Sequence, residues 1–256
     1  IVFGDWSSDV CSSDLGIMMA AQSDSLRQRT EQHKPKNEKS KKDDKNIHVA
    51  MMKVIEEMHN RFDEQDNFKD YEITYEKTIT VSYMISFIEK KGKRHEFDKT
   101  YIDRTIKPDG GALFLFNPKT KEKKPILIAE IKRQGTNKQR IKEGKSRQAT
   151  GNAIERLGKN LTGIKAMMNH ERITPFICFG WGCDFSPVEK TVLSKVSMLN
   201  EFYPLNKSHL YKRDGGTEYN WYSPVSMFFR EELWDVDEMF NIMKELADAA
   251  IRYYIY

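Results

Sequence analysis

Along residues 48–60 the positions Val49, Met52, Ile55 and His59 recur at helical intervals, and this pattern predicts an amphipathic first helix. Residues 71–88 carry β-branched and aromatic side chains in partial alternation, which predicts a strand or a strand pair. Two apolar runs follow, residues 112–116 and 125–132, separated by a polar segment from Asn117 to Lys124. Strands joined by so short a connection are expected to be antiparallel neighbours. A helix is predicted from Gly151, with Asn152 as its cap and Ile154, Leu157, Leu161, Ile164 and Met168 as one apolar stripe. Residues 175–181 form a buried strand in this reading, and residues 234–256 form a closing helix with Val236, Met239, Phe240, Met243, Leu246 and Ala250 on one side. Residues 186–223 mix short apolar clusters with Pro, Gly and charge and yield no assignment. The alternation predicts an α/β domain with a central mixed sheet flanked by helices.

Composition limits the domain to residues 47–256. From Ala20 to Asn46 large apolar residues are nearly absent and Lys and Arg outnumber acids, eight to five, so a flexible basic arm over residues 18–46 is expected. Upstream, residues 4–15 look like the translation of a sequencing adapter. Residues 1–17 are therefore expected to be an artefact that carries no function. The net charge of +4 is mild, so any polyanion-binding surface must come from local clusters of Lys and Arg. No apolar run approaches the roughly 20 residues that span a bilayer, and no leader pattern is present; a soluble, cytoplasmic protein is expected. Cys178 and Cys183 lack partners at zinc-ligand spacing and are expected to be buried free thiols.

The chemistry concentrates at the two paired strands. A turn near Thr120 or Lys121 sets Asp109 opposite Glu130 and Lys132. Glu130 and Lys132, two apart on a strand, share a face, while Ile131 points the other way. Two adjacent carboxylates repel unless a cation lies between them, and an oxygen donor set of this kind suits Mg²⁺. The expected arrangement has Asp109, Glu130 and the Ile131 carbonyl holding the metal, and Lys132 orienting and helping to deprotonate an attacking water. The bland alternative is a pair of exposed charges at a strand end.

Pro108-Asp109, twenty intervening residues and then Glu130-x-Lys132 resemble the PD-(D/E)xK nuclease signature. Three blocks extend the resemblance: Ile106-Lys107-Pro108-Asp109-Gly110-Gly111, Ile128-Ala129-Glu130-Ile131-Lys132-Arg133-Gln134-Gly135, and Gly151-Asn152-Ala153-Ile154-Glu155-Arg156. In order and spacing they are similar to consecutive blocks of the EcoRI type II restriction endonuclease family. Clear similarity covers about residues 105–185. Arg133 stands where the best-known member has His. The resemblance implies a homodimer that cuts a palindromic site containing AATT with Mg²⁺, leaves 5′-phosphates and has a companion DNA methyltransferase. It further implies that Asn152, the Ala153 backbone, Glu155 and Arg156 read bases from the major groove. Such roles agree with a helix N-terminus facing DNA and with the groups each side chain can pair. Lys138, Arg140, Lys142, Lys145 and Arg147 form a basic segment placed to contact phosphates, or else an ordinary surface loop. Two rival readings are a repair or recombination nuclease directed by DNA structure and a catalytically inactive sequence-specific DNA-binding protein.

Overall fold

The computed structural model describes residues 34–64, 68–83, 85, 100, 102–135, 137–146, 152–168, 170–187, 190–212 and 224–256. The chain divides into two compact units, Ile1–Lys42 and Asp43–Tyr256. Helix α1 (Lys34–Glu64) begins fourteen residues before the predicted start at residue 48. Its early turns are Lys-rich, a residue with good helix propensity, and Pro35 falls in the first turn where a proline is tolerated. The buried face of α1 also differs from the predicted one. Ile47, Ala50, Met51, Val54 and Met58 are buried, whereas Val49 and His59 are exposed. Both sets have helical spacing; the observed one contains the longer unbroken apolar stripe, and burial selects it.

In the second unit, strands β1 (Glu72–Glu76), β4 (Gly111–Asn117), β5 (Glu122–Arg133), β6 (Phe176–Trp181) and β7 (Ser226–Arg230) form a five-stranded sheet in the order β1-β4-β5-β6-β7. The β1-β4 and β4-β5 pairs are antiparallel, while β5-β6 and β6-β7 are parallel. This is the mixed sheet expected from the sequence. A short pair, β2 (Ile79–Thr80) and β3 (Thr105–Ile106), stands apart from it. Helices α2 (Asn137–Lys142), α3 (Asn152–Met167), α4 (Lys190–Leu199) and α5 (Val236–Ile255), with a short 3-10 turn at Cys183–Phe185, complete the described elements.

The inner strands β4, β5 and β6 feed two cores because side chains alternate across a sheet. Leu113, Leu115, Ile131, Ile177 and Phe179 pack with α1 and α5, whereas Ala112, Phe114, Ile128, Phe176 and Cys178 pack with α3 and α4. A bulge at Leu113/Phe114 leaves Ile126 and Leu127 on the same side. Pro125 lies beside that irregularity and before the first residue paired with β6, a position where its missing N–H is tolerated. The closing helix begins at an Asp235 cap whose side chain accepts from the Glu238 N–H, and Glu238 reaches back to form a capping box. No helix among the described residues is long and apolar enough to cross a membrane.

Candidate active site

Asp109 is delivered to β5 by the two glycines that follow it. A Cβ on Gly110 would lie 2.9 Å from the Ala129 Cβ, and one on Gly111, at φ +81°, would fall 2.5 Å from the Tyr75 ring. Only bare backbone permits this approach. Gly110 N–H donates to the Ala129 carbonyl at 3.0 Å, and Gly111 pairs with Ala129. Two residues further along, Asp109 falls across from Ile131, between Glu130 and Lys132. Its N–H donates to Glu130 Oε2 at 3.0 Å, and its Oδ2 accepts from the Ile131 N–H at 3.2 Å.

Lys132 closes the group. Its Nζ donates to Asp109 Oδ2 at 2.8 Å and to the Ile131 carbonyl at 3.1 Å, and it forms an ion pair with Glu130 Oε1. Glu130 is fully buried, and burial raises its carboxyl above the ordinary range. Lys132 pulls that value down and Asp109 pushes it up, without reversing the direction. Burial alone would lower the Lys132 ammonium, yet the Glu130 and Asp109 carboxylates outweigh it and hold its pKa well above the usual lysine range. The two directions are compatible: one ammonium serves two carboxylates, so the ammonium is doubly compensated while the buried acid is compensated in part. In this state Lys132 is cationic and can donate but not accept a proton.

The donor set fits a cation. Asp109 Oδ2, Glu130 Oε1 and the Ile131 carbonyl oxygen, the three atoms expected to hold a metal, already surround the positive charge of Lys132. Among the described residues no three His, Cys, Asp or Glu side chains form a metal cluster. An ion at this place would rest on two carboxylates and one carbonyl, a sparse oxygen set of the kind Mg²⁺ uses with water and phosphate.

Two neighbours escaped the sequence reading. Asn160, on α3, donates from Nδ2 to Glu130 Oε1 at 2.8 Å. Asp44, assigned above to the arm, lies on α1 one turn before Ile47, whose Cγ1 would be 3.3 Å from a Cβ on Gly110. Its side chain is exposed, yet partial desolvation and repulsion from Asp109 raise its carboxyl against the pull of Lys132 and Lys107. Neither contact has a local signal: each depends on which helix the fold lays beside the hairpin.

Asn152 and Ala153 open α3, and Glu155 and Arg156 are exposed in its first turns. Gly151 and Arg147 lie outside the described residues. The basic segment is largely the short helix α2 and a turn. Lys138 pairs with Glu231, Lys145 with Glu143 at 2.7 Å, and Arg140 Nε donates to the Ser146 carbonyl at 2.8 Å. Arg133 stacks on Trp181, 4.7 Å from its ring centroid, away from the carboxylates. Cys178 is fully buried across from Glu130, and burial pushes its thiol up; Cys183 is only half-buried, a correction to the expectation, because its short turn buries Asp184 and Phe185 instead.

A five-stranded mixed sheet between helices, with an Asp before one strand and Glu-x-Lys on its neighbour, defines a restriction-endonuclease-like α/β protein. The family model for restriction endonuclease EcoRI matches residues 33–255, most of the chain. The chain belongs to the EcoRI restriction endonuclease family. No curated protein sequence matches it.

Proposed function

We propose that this chain cleaves double-stranded DNA at a palindromic site containing AATT, as a Mg²⁺-dependent homodimer that leaves 5′-phosphates and has a companion methyltransferase to protect host DNA. Membership of the family supports a restriction endonuclease acting on DNA. The observation that carries the chemistry is the convergence of Asp109, Glu130 and the Ile131 carbonyl on the Lys132 ammonium.

Asp109, Glu130 and the Ile131 carbonyl would hold Mg²⁺, and Asp109, Glu130 and Lys132 are the groups we assign to catalysis. The bound ion would activate water and offset the charge that builds on the scissile phosphate. Water oxygen bonds to phosphorus and gives up a proton to solvent, the P–O3′ bond breaks with its electron pair on O3′, and O3′ takes a proton from solvent, so the products are a 5′-phosphate and a 3′-hydroxyl. Lys132, held cationic, orients the water and a phosphate oxygen by donating hydrogen bonds, and adds positive charge where the transition state is most negative. Asp109 fixes the strand ends by accepting from the Ile131 N–H. Asn152, the Ala153 backbone, Glu155 and Arg156 would read base edges, with Asn suited to adenine and the Glu carboxylate to base amino groups. Lys138, Arg140, Lys145 and Arg147 would contact phosphates; Lys138 and Lys145 must exchange their present acidic partners to do so.

The test is to incubate the full chain with a randomised duplex library and Mg²⁺ and to sequence every new end. Ends clustered at one palindrome containing AATT are expected. Cutting without sequence preference would favour the structure-directed nuclease, and binding without cutting would favour the inactive DNA-binding protein.

A further inference from the structure

Glu130 has no access to solvent, so its orientation is set by protein groups alone. Oε2 is held by the Asp109 N–H, which belongs to the hairpin itself. Oε1 is held by Lys132 and by Asn160. Lys132 has work to do elsewhere once water and phosphate arrive. Asn160 has none: its amide carries no charge, reaches Glu130 from the helix that begins at Asn152, and sits eight residues, about 12 Å, along the axis from that end.

The helix is in turn held firmly. Ile154, Leu157, Leu161 and Ile164 are buried against Phe114, Ile128 and Phe176 of the sheet. Glycines bracket Asn160 at the contacts with neighbouring elements. A Cβ on Gly158 would come within 3.2 Å of Leu199 on α4, and one on Gly163 within 2.5 Å of Ile106 on β3. Close-packed contacts of this kind transmit displacement and do not absorb it. Glu155 and Arg156 project from the same helix, exposed, about 6 to 8 Å along the axis from Asn160.

We propose that Asn160 is a positioning residue: its hydrogen bond to Glu130 ties the orientation of the catalytic carboxylate to helix α3, so that seating α3 on DNA sets the metal-holding oxygen. The proposal rests on the nuclease reading above. Hydrogen-bond partners of metal-holding carboxylates fix the direction of the donor oxygen, and their removal commonly lowers metal affinity or activity by about 10- to 100-fold.

The experiment compares the full chain with Asn160→Leu, which has similar bulk and no donor, and Asn160→Gln, which keeps an amide donor. The duplex is the preferred site from the library. Three quantities are measured: duplex affinity at saturating Ca²⁺, the Ca²⁺ concentration that half-develops that affinity, and the single-turnover cleavage rate in Mg²⁺. For Asn160→Leu we expect affinity at saturating Ca²⁺ within about threefold of wild type, a half-developing Ca²⁺ concentration about tenfold higher, and a cleavage rate lower by about 10- to 100-fold. Asn160→Gln should recover part of both losses. A leucine variant with unchanged Ca²⁺ dependence and rate overturns the proposal. So does one that loses affinity at saturating Ca²⁺ in step with its rate, which would make Asn160 a DNA contact or a packing residue. A glutamine variant as impaired as the leucine variant overturns it too. Should the leucine variant fail to fold, Asn160→Ala carries the same arms. A wild-type chain that cuts nothing defeats the nuclease reading and this proposal together; a wild-type chain that cuts while Asn160→Leu is unaffected defeats this proposal alone.

Discussion

Lys132 shares one positive charge between two carboxylates, and the consequence falls on Glu130. Its carboxyl is raised above the ordinary 4.5, chiefly by burial, so the folded protein binds this proton more tightly than the unfolded chain does. The corresponding stability is complete below the unfolded value and is lost as pH rises from about 4.5 through the raised folded value. Glu130→Gln removes the titrating group. In metal-free buffer the stability difference between wild type and this variant should therefore shift in favour of the variant as pH rises through that window, measured by urea melts at successive pH values. A pH-independent difference would show that Glu130 is not the group being strained. The same variant, and Lys132→Ala, should abolish cleavage while duplex binding in Ca²⁺ survives; loss of binding in parallel would count against their assigned roles. A carboxylate retained at such a site at a cost to the fold is the usual stability-for-function exchange.

At the scale of elements, what was legible was what is local. The β4-β5 hairpin could be predicted because its two apolar runs are separated by a few polar residues, and the approximate register already placed Asp109 beside Glu130 and Lys132. The observed register is shifted by the Leu113/Phe114 bulge, which periodicity alone does not announce. Helix α3 was legible from its five-residue stripe, all of it buried. Helix α4 was not, because Thr191, Ser194 and Ser197 dilute the pattern of Val192, Val196 and Leu199. Strand β7 lies in a short apolar run, Met227-Phe228-Phe229, whose partner β6 is some fifty residues away. The Asn160 hydrogen bond and the placement of Asp44 near the cluster were illegible for the same reason: they depend on tertiary placement. Where an element's own signals are strong, its stability can be stated. The Asp235 capping box should contribute about 1 kcal/mol, so Asp235→Ala should lower the melting temperature by about 2 to 4 °C. The Glu238 carboxyl is held below its ordinary value, first by its hydrogen bond from Arg230. Its contribution is therefore present above the ordinary carboxylate value and is lost as pH falls through the depressed one, so Glu238→Gln should matter at neutral pH and cease to matter in acid. A cost that persists unchanged in acid would mean that packing, not charge, is at stake.

At the scale of the molecule, both faces of the sheet are covered, by α1 and α5 on one side and α3 and α4 on the other. The chemistry lies toward the C-terminal end of β5, where burial ends: Glu130 and Ile131 are the last buried residues of the strand and Lys132, the next, is half-buried. Each chain carries one Asp109-Glu130-Lys132 cluster, and under the proposed function one cluster would act on one scissile phosphate. A duplex cut needs two phosphates of opposite polarity. A palindrome presents them related by a two-fold axis, and two copies of the chain related by the same axis would meet both at once. A single copy would have to nick, release, turn and bind again. The two routes leave different intermediates. On a supercoiled plasmid with one preferred site, a dimer with two engaged centres should yield linear DNA with little nicked circle, and the yield should fall steeply once the protein is diluted below its dimer dissociation constant. A mixed preparation sharpens the test: wild-type chain in excess Lys132→Ala chain should form dimers with one working centre and shift the product toward nicked circles. Linear product that persists in the mixture, in proportion to the wild-type chain present, would show instead that each copy cuts both strands alone.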